Sequence, residues 1–169
     1  MSETEEPVLG AGRGPKDAEE VEDLGARILR LVTGEPFAVL CTQGDAQPYG
    51  SVVAVAFTQD LRHALFATPV TTRKFRLLIA SNRVALVVDN RSTWCDDMMR
   101  VEAVTATGRA VRVEHGEEFE RWAAVLLGRH PYLHAFVRAD SCALFRVDVL
   151  RYFHVERFQE VREWAPSSS

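Results

Sequence analysis

The stretch Phe66–Asn90, FATPVTTRKFRLLIASNRVALVVDN, decides the fold because it changes from strand to helix and back to strand. Pro69 disfavours a helical conformation in the residue before it, so the first strand ends there. Thr71 or Thr72 is then a suitable N-cap for a short helix. The run Arg83–Asp89 is continuously apolar and β-branched, which predicts a strand covered on both faces.

The start of that helix carries Arg73 and Lys74 directly after the threonines. The first N–H groups of a helix are unpaired and carry partial positive charge, and two added cations would make a good phosphate receptor. The residues alone allow an alternative, a capped surface helix with two solvated cations. In both interpretations one helix face is apolar, formed by Phe75, Leu78 and Ile79.

Towards the N-terminus, the pattern predicts an amphipathic helix over 18–32, capped by Asp17, and then a hairpin. The hairpin strands cover 37–42 and 47–57 around a Gly-Asp turn. A third strand over 62–67 leads into the stretch quoted above.

Towards the C-terminus, residues 100–113 predict a long strand whose apolar positions change phase near Gly108. A β-bulge at this glycine would bend the strand, as closure of a barrel requires. A helix over 114–128, a short helix beginning at His130-Pro131 and a last strand over 142–155 complete the pattern. The fold class is therefore α+β, a six-stranded antiparallel barrel with flanking helices.

Composition and charge narrow the class of protein. The formal net charge is −4, and residues 1–24 hold eight acids against Arg13 and Lys16. We therefore expect a disordered acidic tail over 1–15, a single domain over 16–160 and a C-terminal tail over 161–169. An acidic head on a near-neutral body does not favour nucleic-acid binding, and no apolar run is long enough to span a membrane. Three separated cysteines and an acidic start predict a cytoplasmic protein with reduced thiols.

Three pieces in order resemble the flavin-binding split-barrel family of pyridoxamine 5'-phosphate oxidase. They are the Gln47-Pro48-Tyr49 strand, the turn that ends in Thr72-Arg73-Lys74, and the strand that begins Asn82-Arg83-Val84. The resemblance covers roughly residues 20–155. It implies a split β-barrel and a homodimer that binds FMN in a cleft between the protomers.

The resemblance also implies roles for individual residues. Arg73 and Lys74 would hold the FMN phosphate, and Thr72 would donate its hydroxyl or cap the helix beneath. Thr68, with Ala67 before it, would end its strand near the ribityl chain. The second strand would lie along the flavin ring through Ser51, Val52, Val53, Ala54 and Val55.

Departures from the family pattern argue against oxidation of pyridoxamine phosphate. Ser51 stands where the oxidase has a phosphate-binding arginine, Ala56 where it has a substrate-binding lysine, and Ala103 where it has a flavin-contacting glutamine. The C-terminal signature of the oxidase is absent. The second half, from Arg129-His130-Pro131 to the strand around Phe145, resembles the heme-utilisation and oxidase-related branch instead.

These observations predict an FMN-dependent oxidoreductase acting on a small molecule. The alternatives are a non-catalytic heme- or flavin-handling protein and a deazaflavin-dependent reductase. His154 is the histidine considered for a heme or flavin contact, although a half-buried strand residue is the more usual role. His130 and His134 have helical spacing, but Pro131 places His130 at the cap, so no metal site is expected.

Overall fold

An antiparallel sheet curled on itself forms the body of the protein. The computed structural model describes residues 23–167, and the sheet has eight strands in the order β2-β1-β5-β6-β7-β4-β3, with β8 paired to β7. The strands are β1 Phe37–Gly44, β2 Gln47–Ala54, β3 Ala56–Phe57, β4 His63–Pro69, β5 Arg83–Asp89, β6 Ala103–Val113, β7 Cys142–Glu156 and β8 Glu160–Trp164. The helices are α1 Leu24–Gly34, α2 Arg73–Ala80, α3 Glu117–Arg129 and α4 His134–Val137, with 3-10 turns at Met98–Arg100 and Pro131–Leu133. The α+β split-barrel prediction is confirmed.

The prediction of six strands was wrong in two places. The expected strand over 47–57 breaks at Val55, because β2 pairs with β1 whereas β3 pairs with β4. The expected C-terminal tail over 161–169 contains most of β8, whose Val161 lies opposite Val155 of β7. A sequence pattern shows where a strand is apolar but not where it changes partner, so both errors concern pairing rather than strand propensity.

Helix α1 begins at Leu24, with Asp23 at the N-cap position. The predicted start at 18 with Asp17 as cap, and the predicted tail over 1–15, lie outside the described residues. The buried side chains of α1 join the main core from Ile28, Leu31 and Val32. Among the described residues, no helix is long and apolar enough to cross a membrane.

Helix α2 and strand β5 each expose one face that the sequence pattern placed inside. Phe75 and Leu78 of α2 pack against the main core, whereas Ile79 is 59% exposed. In β5, burial alternates along the strand, so Leu86 is buried and Val87 is only half-buried. Within one chain, both elements are therefore covered on a single side.

The core is divided between the two faces of the sheet. The larger cluster fills the barrel and includes Leu40, Phe66 and Phe145. The rings of Phe66 and Phe145 stack with their centroids 5.5 Å apart. The smaller cluster lies on the other face of β4 and β7, where α3 places Phe119, Leu126 and neighbouring side chains against Leu65 and Leu144.

The predicted bulge in β6 is confirmed, since the register with β7 shifts between Thr107 and Gly108. A Cβ on Gly108 would lie 2.4 Å from the Asp148 carbonyl oxygen and 2.9 Å from Val147 Cγ1. The close approach of β7 at the bulge therefore requires glycine at this position.

We expect Gly108→Ala to destabilise the fold by roughly 1–3 kcal/mol, because the backbone of β7 must move to make room for the methyl group. Chemical denaturation followed by circular dichroism measures the free energy of unfolding. Gly34→Ala is the matched control, since a Cβ there meets nothing within 4 Å. Equal stability of the two variants would contradict the bulge argument.

Candidate functional site

The start of α2 forms a capped turn at the end of β4. The Thr72 hydroxyl oxygen accepts a hydrogen bond from the Phe75 N–H at 3.2 Å, which makes Thr72 the N-cap. The same hydroxyl donates to the Pro69 carbonyl at 2.9 Å and lies 3.0 Å from the Thr68 hydroxyl. Thr72, predicted with Thr71 as a possible cap, thus fixes how the chain enters the helix.

Two cations project from the first turn of α2, and neither makes an ion pair with a residue in the described range 23–167. The Arg73 guanidinium lies 5.1 Å from the ring centroid of Tyr49 in β2. The Lys74 ammonium donates to the Val52 carbonyl oxygen at 3.3 Å. Burial lowers the pKa of Lys74. An unpaired, partly desolvated ammonium is stabilised by any anion that approaches it.

Strand β2 lies at the edge of the sheet, which leaves part of its backbone unpaired. The register with β1 runs from Gly44 opposite Gln47, across a two-residue turn, to Phe37 opposite Ala54. In an antiparallel ladder only alternate residues bond to the partner strand. From this turn outwards, Ser51 and Val53 bond to β1, whereas the N–H and C=O groups of Val52 and Ala54 point away from it.

Val55 differs from its neighbours because both of its backbone groups are occupied. Its N–H donates to the Pro36 carbonyl at 3.2 Å, and its carbonyl oxygen lies 2.9 Å from His130 Nε2. Since His130 is buried and its other ring nitrogen lies 3.2 Å from the Tyr132 hydroxyl, it holds the backbone rather than a metal. The described residues contain no group of three or more metal-binding side chains.

The predicted site residues are therefore only partly brought together. Thr72, Arg73, Lys74 and Val52 form one continuous surface, with Ala54 farther along the same strand edge. Thr68 is buried, and its hydroxyl lies 3.0 Å from that of Thr72. Ala67 lies on the opposite face of β4 from Thr68 and packs against the smaller core cluster. The Ser51 hydroxyl oxygen is buried and has no hydrogen-bond partner among the described residues. Their cofactor roles stay predictions.

His154 is closed off from any ligand in this structure. Its side chain is fully buried, and Nε2 lies 3.0 Å from a carboxylate oxygen of Glu102. Burial raises the pKa of Glu102, but the His154 hydrogen bond and the charges of Arg27 and Arg30 outweigh it and hold that pKa below its usual value. Sequence reasoning missed this cluster, because its members come from α1, β7 and the segment before β6 and share no local spacing.

Comparison with known proteins agrees with the architecture. The family model for pyridoxamine 5'-phosphate oxidase matches residues 24–156. No curated protein matches the chain.

Several solved structures share the fold. A heme binding protein from Mycobacterium smegmatis superposes with a TM-score of 0.75 at 18% identity, over 86% of this chain and 60% of its own. ChuZ from Campylobacter jejuni gives 0.70 at 10% identity, over 82% of this chain and 58% of its own. A FAD-binding protein from Mesorhizobium loti gives 0.58 at 18% identity, over 74% and 88%.

The chain thus spans less than two thirds of the heme binding protein and of ChuZ. At these identities the superpositions establish the fold, and the match of the family model over 24–156 establishes membership. The chain belongs to the pyridoxamine 5'-phosphate oxidase family of split-barrel proteins.

Proposed function

We propose that this protein binds FMN at the start of α2 and along the free edge of β2, and that it is a flavin-dependent oxidoreductase acting on a small molecule. The observation that carries the proposal is the pair Arg73 and Lys74. Both cations lie at a capped helix start without a carboxylate partner among residues 23–167, and both contact β2.

The phosphate would bind at the first turn of α2. Arg73 provides a guanidinium suited to two parallel hydrogen bonds, and Lys74 provides a point charge. Because Ser51 carries no charge, these two residues and the backbone N–H groups of the turn would supply the whole phosphate site. Thr72 already uses its hydroxyl as acceptor for Phe75 and as donor to Pro69, so its main contribution is to hold the turn in place.

The flavin ring would meet the edge of β2. The outward N–H groups of Val52 and Ala54 and the Ala54 carbonyl match donors and acceptors on one side of the ring. The Val52 carbonyl already accepts from Lys74, and Val55 has neither group free. When bound, FMN supplies the hydride or electron transfer, and the chain binds and orients it. The residues at this surface are apolar, hydroxyl-bearing or cationic, so a proton would be exchanged with substrate or water.

The outer face of the sheet supports the proposal of a homodimer. One row of register partners crosses five strands there: Val52, Val39, Val87, Thr105 and Phe153. None of these side chains is buried in the single chain, and Val52 is 66% exposed. A second copy packed on this row would cover it and would form a cleft beside Lys74. The cytoplasmic location stays a prediction.

A second candidate is a non-catalytic protein that stores or delivers a flavin or heme. It is favoured by the lack of a carboxylate or histidine among the surface residues that would face the flavin. A deazaflavin would fit the same phosphate site, because the anchor does not distinguish the ring. Mass measurement of the cofactor extracted from purified protein separates FMN, deazaflavin and heme.

Replacing both cations, Arg73→Ala with Lys74→Ala, is expected to weaken FMN binding by a few kcal/mol, since each removes a charged hydrogen bond to phosphate. Titration of flavin fluorescence measures the affinity. The control is Arg109→Ala with Arg121→Ala, which removes the same charge from exposed positions elsewhere. Wild-type protein without affinity for FMN, or a double variant that binds as tightly as the control, would overturn the proposal.

We expect light scattering to give twice the 18.9 kDa mass of one chain. Val87→Glu should shift the protein to the monomer, because it buries a charge in the proposed interface. Val111→Glu, which alters an exposed valine of β6 beyond the bulge, should leave the dimer intact. A monomeric wild type would refute the dimer.

If heme binds this chain, His154 is not its ligand, because its ring is buried and already bonded to Glu102. Heme titration should therefore give the same Soret band in the wild type and in His154→Gln. Loss of the band in the variant alone would show that the histidine leaves its buried position to bind heme.

A further inference from the structure

A second concave site borders Val55, the residue that follows β2. It is a half-open cavity of about 410 Å³ between the last turn of α1, strand β3 and the last turn of α3. This volume falls within the range of small-molecule sites. Its lining is formed by Val32, Thr33, Val55, Ala56, Phe57, Thr58, Gln59, Val125, Gly128 and Arg129.

The wall of this cavity is mainly aliphatic. Val32 and Val55 are buried, and Val125 of α3 is half-buried opposite them. The polar groups near the wall are largely occupied, since the Thr33 hydroxyl donates to the Leu29 carbonyl and the Thr58 hydroxyl donates to Asp60. The apolar part of the lining suits an alkyl group, and Val125 is the valine that exposes surface to it, because Val32 and Val55 are almost fully buried.

One charged residue lies at the mouth. Arg129 donates from Nη2 to the Gly34 carbonyl at 3.1 Å, which holds its guanidinium between the ends of α3 and α1. It makes no ion pair with any residue of the described chain, so its other N–H donors can meet an anion. A guanidinium is shaped to bind a carboxylate through two parallel hydrogen bonds.

The C-terminal ends of α1 and α3 oppose the binding of an anion at the mouth, because the C-terminus of a helix carries partial negative charge. Three carbonyls near these ends accept hydrogen bonds, and one of them, that of Gly34, is bonded by a cation. The Gly34 carbonyl accepts from Arg129, the Leu31 carbonyl accepts from the Glu35 N–H, and the Leu126 carbonyl accepts from the His130 N–H. The helix ends therefore still offset part of the Arg129 charge, and the preference for an anion depends on the guanidinium itself, which can make two parallel hydrogen bonds to a carboxylate.

Gly128 lines the cavity without a side chain. It lies within α3, its φ is not positive, and a Cβ built there meets nothing within 4 Å. Neither the backbone conformation nor a close neighbour requires glycine, and glycine inside a helix costs up to about 1 kcal/mol relative to alanine. A larger side chain at this position would extend into the open cavity.

We infer that this cavity binds a small amphipathic carboxylate, with an aliphatic body against the apolar lining around Val125 and its carboxylate on Arg129. The site shares only Val55 with the proposed FMN surface, so its occupation does not depend on flavin binding. Its place beside Val55 puts the ligand next to the residue that joins β2 to β3.

Decanoate, used below its micelle-forming concentration, is the probe, and decylamine is the matched probe of opposite charge. Amide resonances of the full chain are followed by NMR during titration. Decanoate should shift the amides of Phe57, Thr58 and Gly128 in a saturable manner, and decylamine should bind at least tenfold more weakly. Equal or tighter binding of the amine would show that the helix ends dominate and would overturn the inference.

Gly128→Leu should lower decanoate affinity at least tenfold by filling the cavity, and it should fold because leucine is a better helix former than glycine. Ala124→Leu, at an exposed position of α3 outside the lining, is the matched control and should bind normally. Arg129→Gln should remove the preference for decanoate over decylamine. Absence of saturable shifts, or shifts that survive Gly128→Leu, would refute the site.

Discussion

Two hydrogen bonds hold the backbone of Val55 in place, and they are the constraint on which the rest of the structure depends. Its N–H bonds to Pro36 at the entrance to β1, and its carbonyl accepts from the buried His130 at the end of α3. Before Val55 the chain forms β2, which pairs with β1. After Val55 it forms β3, which pairs with β4. One residue therefore joins the two ends of the curled sheet, and a buried imidazole satisfies the carbonyl that the change of partner would leave unpaired.

This change of partner also explains where a ligand can bind. Because β2 leaves its neighbour β1 at Ala54 and pairs with no other strand of residues 23–167, the Val52 N–H and both backbone groups of Ala54 stay free at the sheet edge, while the Val52 carbonyl accepts from Lys74. Beside Val55, the short β3 leaves space that α1 and α3 border but do not fill. Both proposed sites lie where the barrel is incomplete, one at the edge of β2 and the other beside the short β3.

Local features of the site could be predicted from the sequence, whereas its long-range contacts could not. The cap at Thr72 and the bulge at Gly108 each depend on a few neighbouring residues, and both predictions are confirmed. The break at Val55 and strand β8 depend on partners distant in sequence. The same holds for the bond between His130 and Val55, which lie 75 residues apart, and for that between His154 and Glu102. Apolar periodicity identifies strands and helices but does not indicate which distant residues pair with each other.

The contacts that hold the two cations of α2 suit the reversible binding of an anion. Arg73 lies over the ring of Tyr49, and Lys74 donates to a backbone carbonyl of β2, so neither relies on a carboxylate to fix its position. An acidic partner would have to be displaced before an anion could bind, and its desolvation would oppose binding. Aromatic and carbonyl contacts leave the full charge available. Partial desolvation lowers the pKa of Lys74, and the attraction of a bound anion offsets that cost, which favours the bound state.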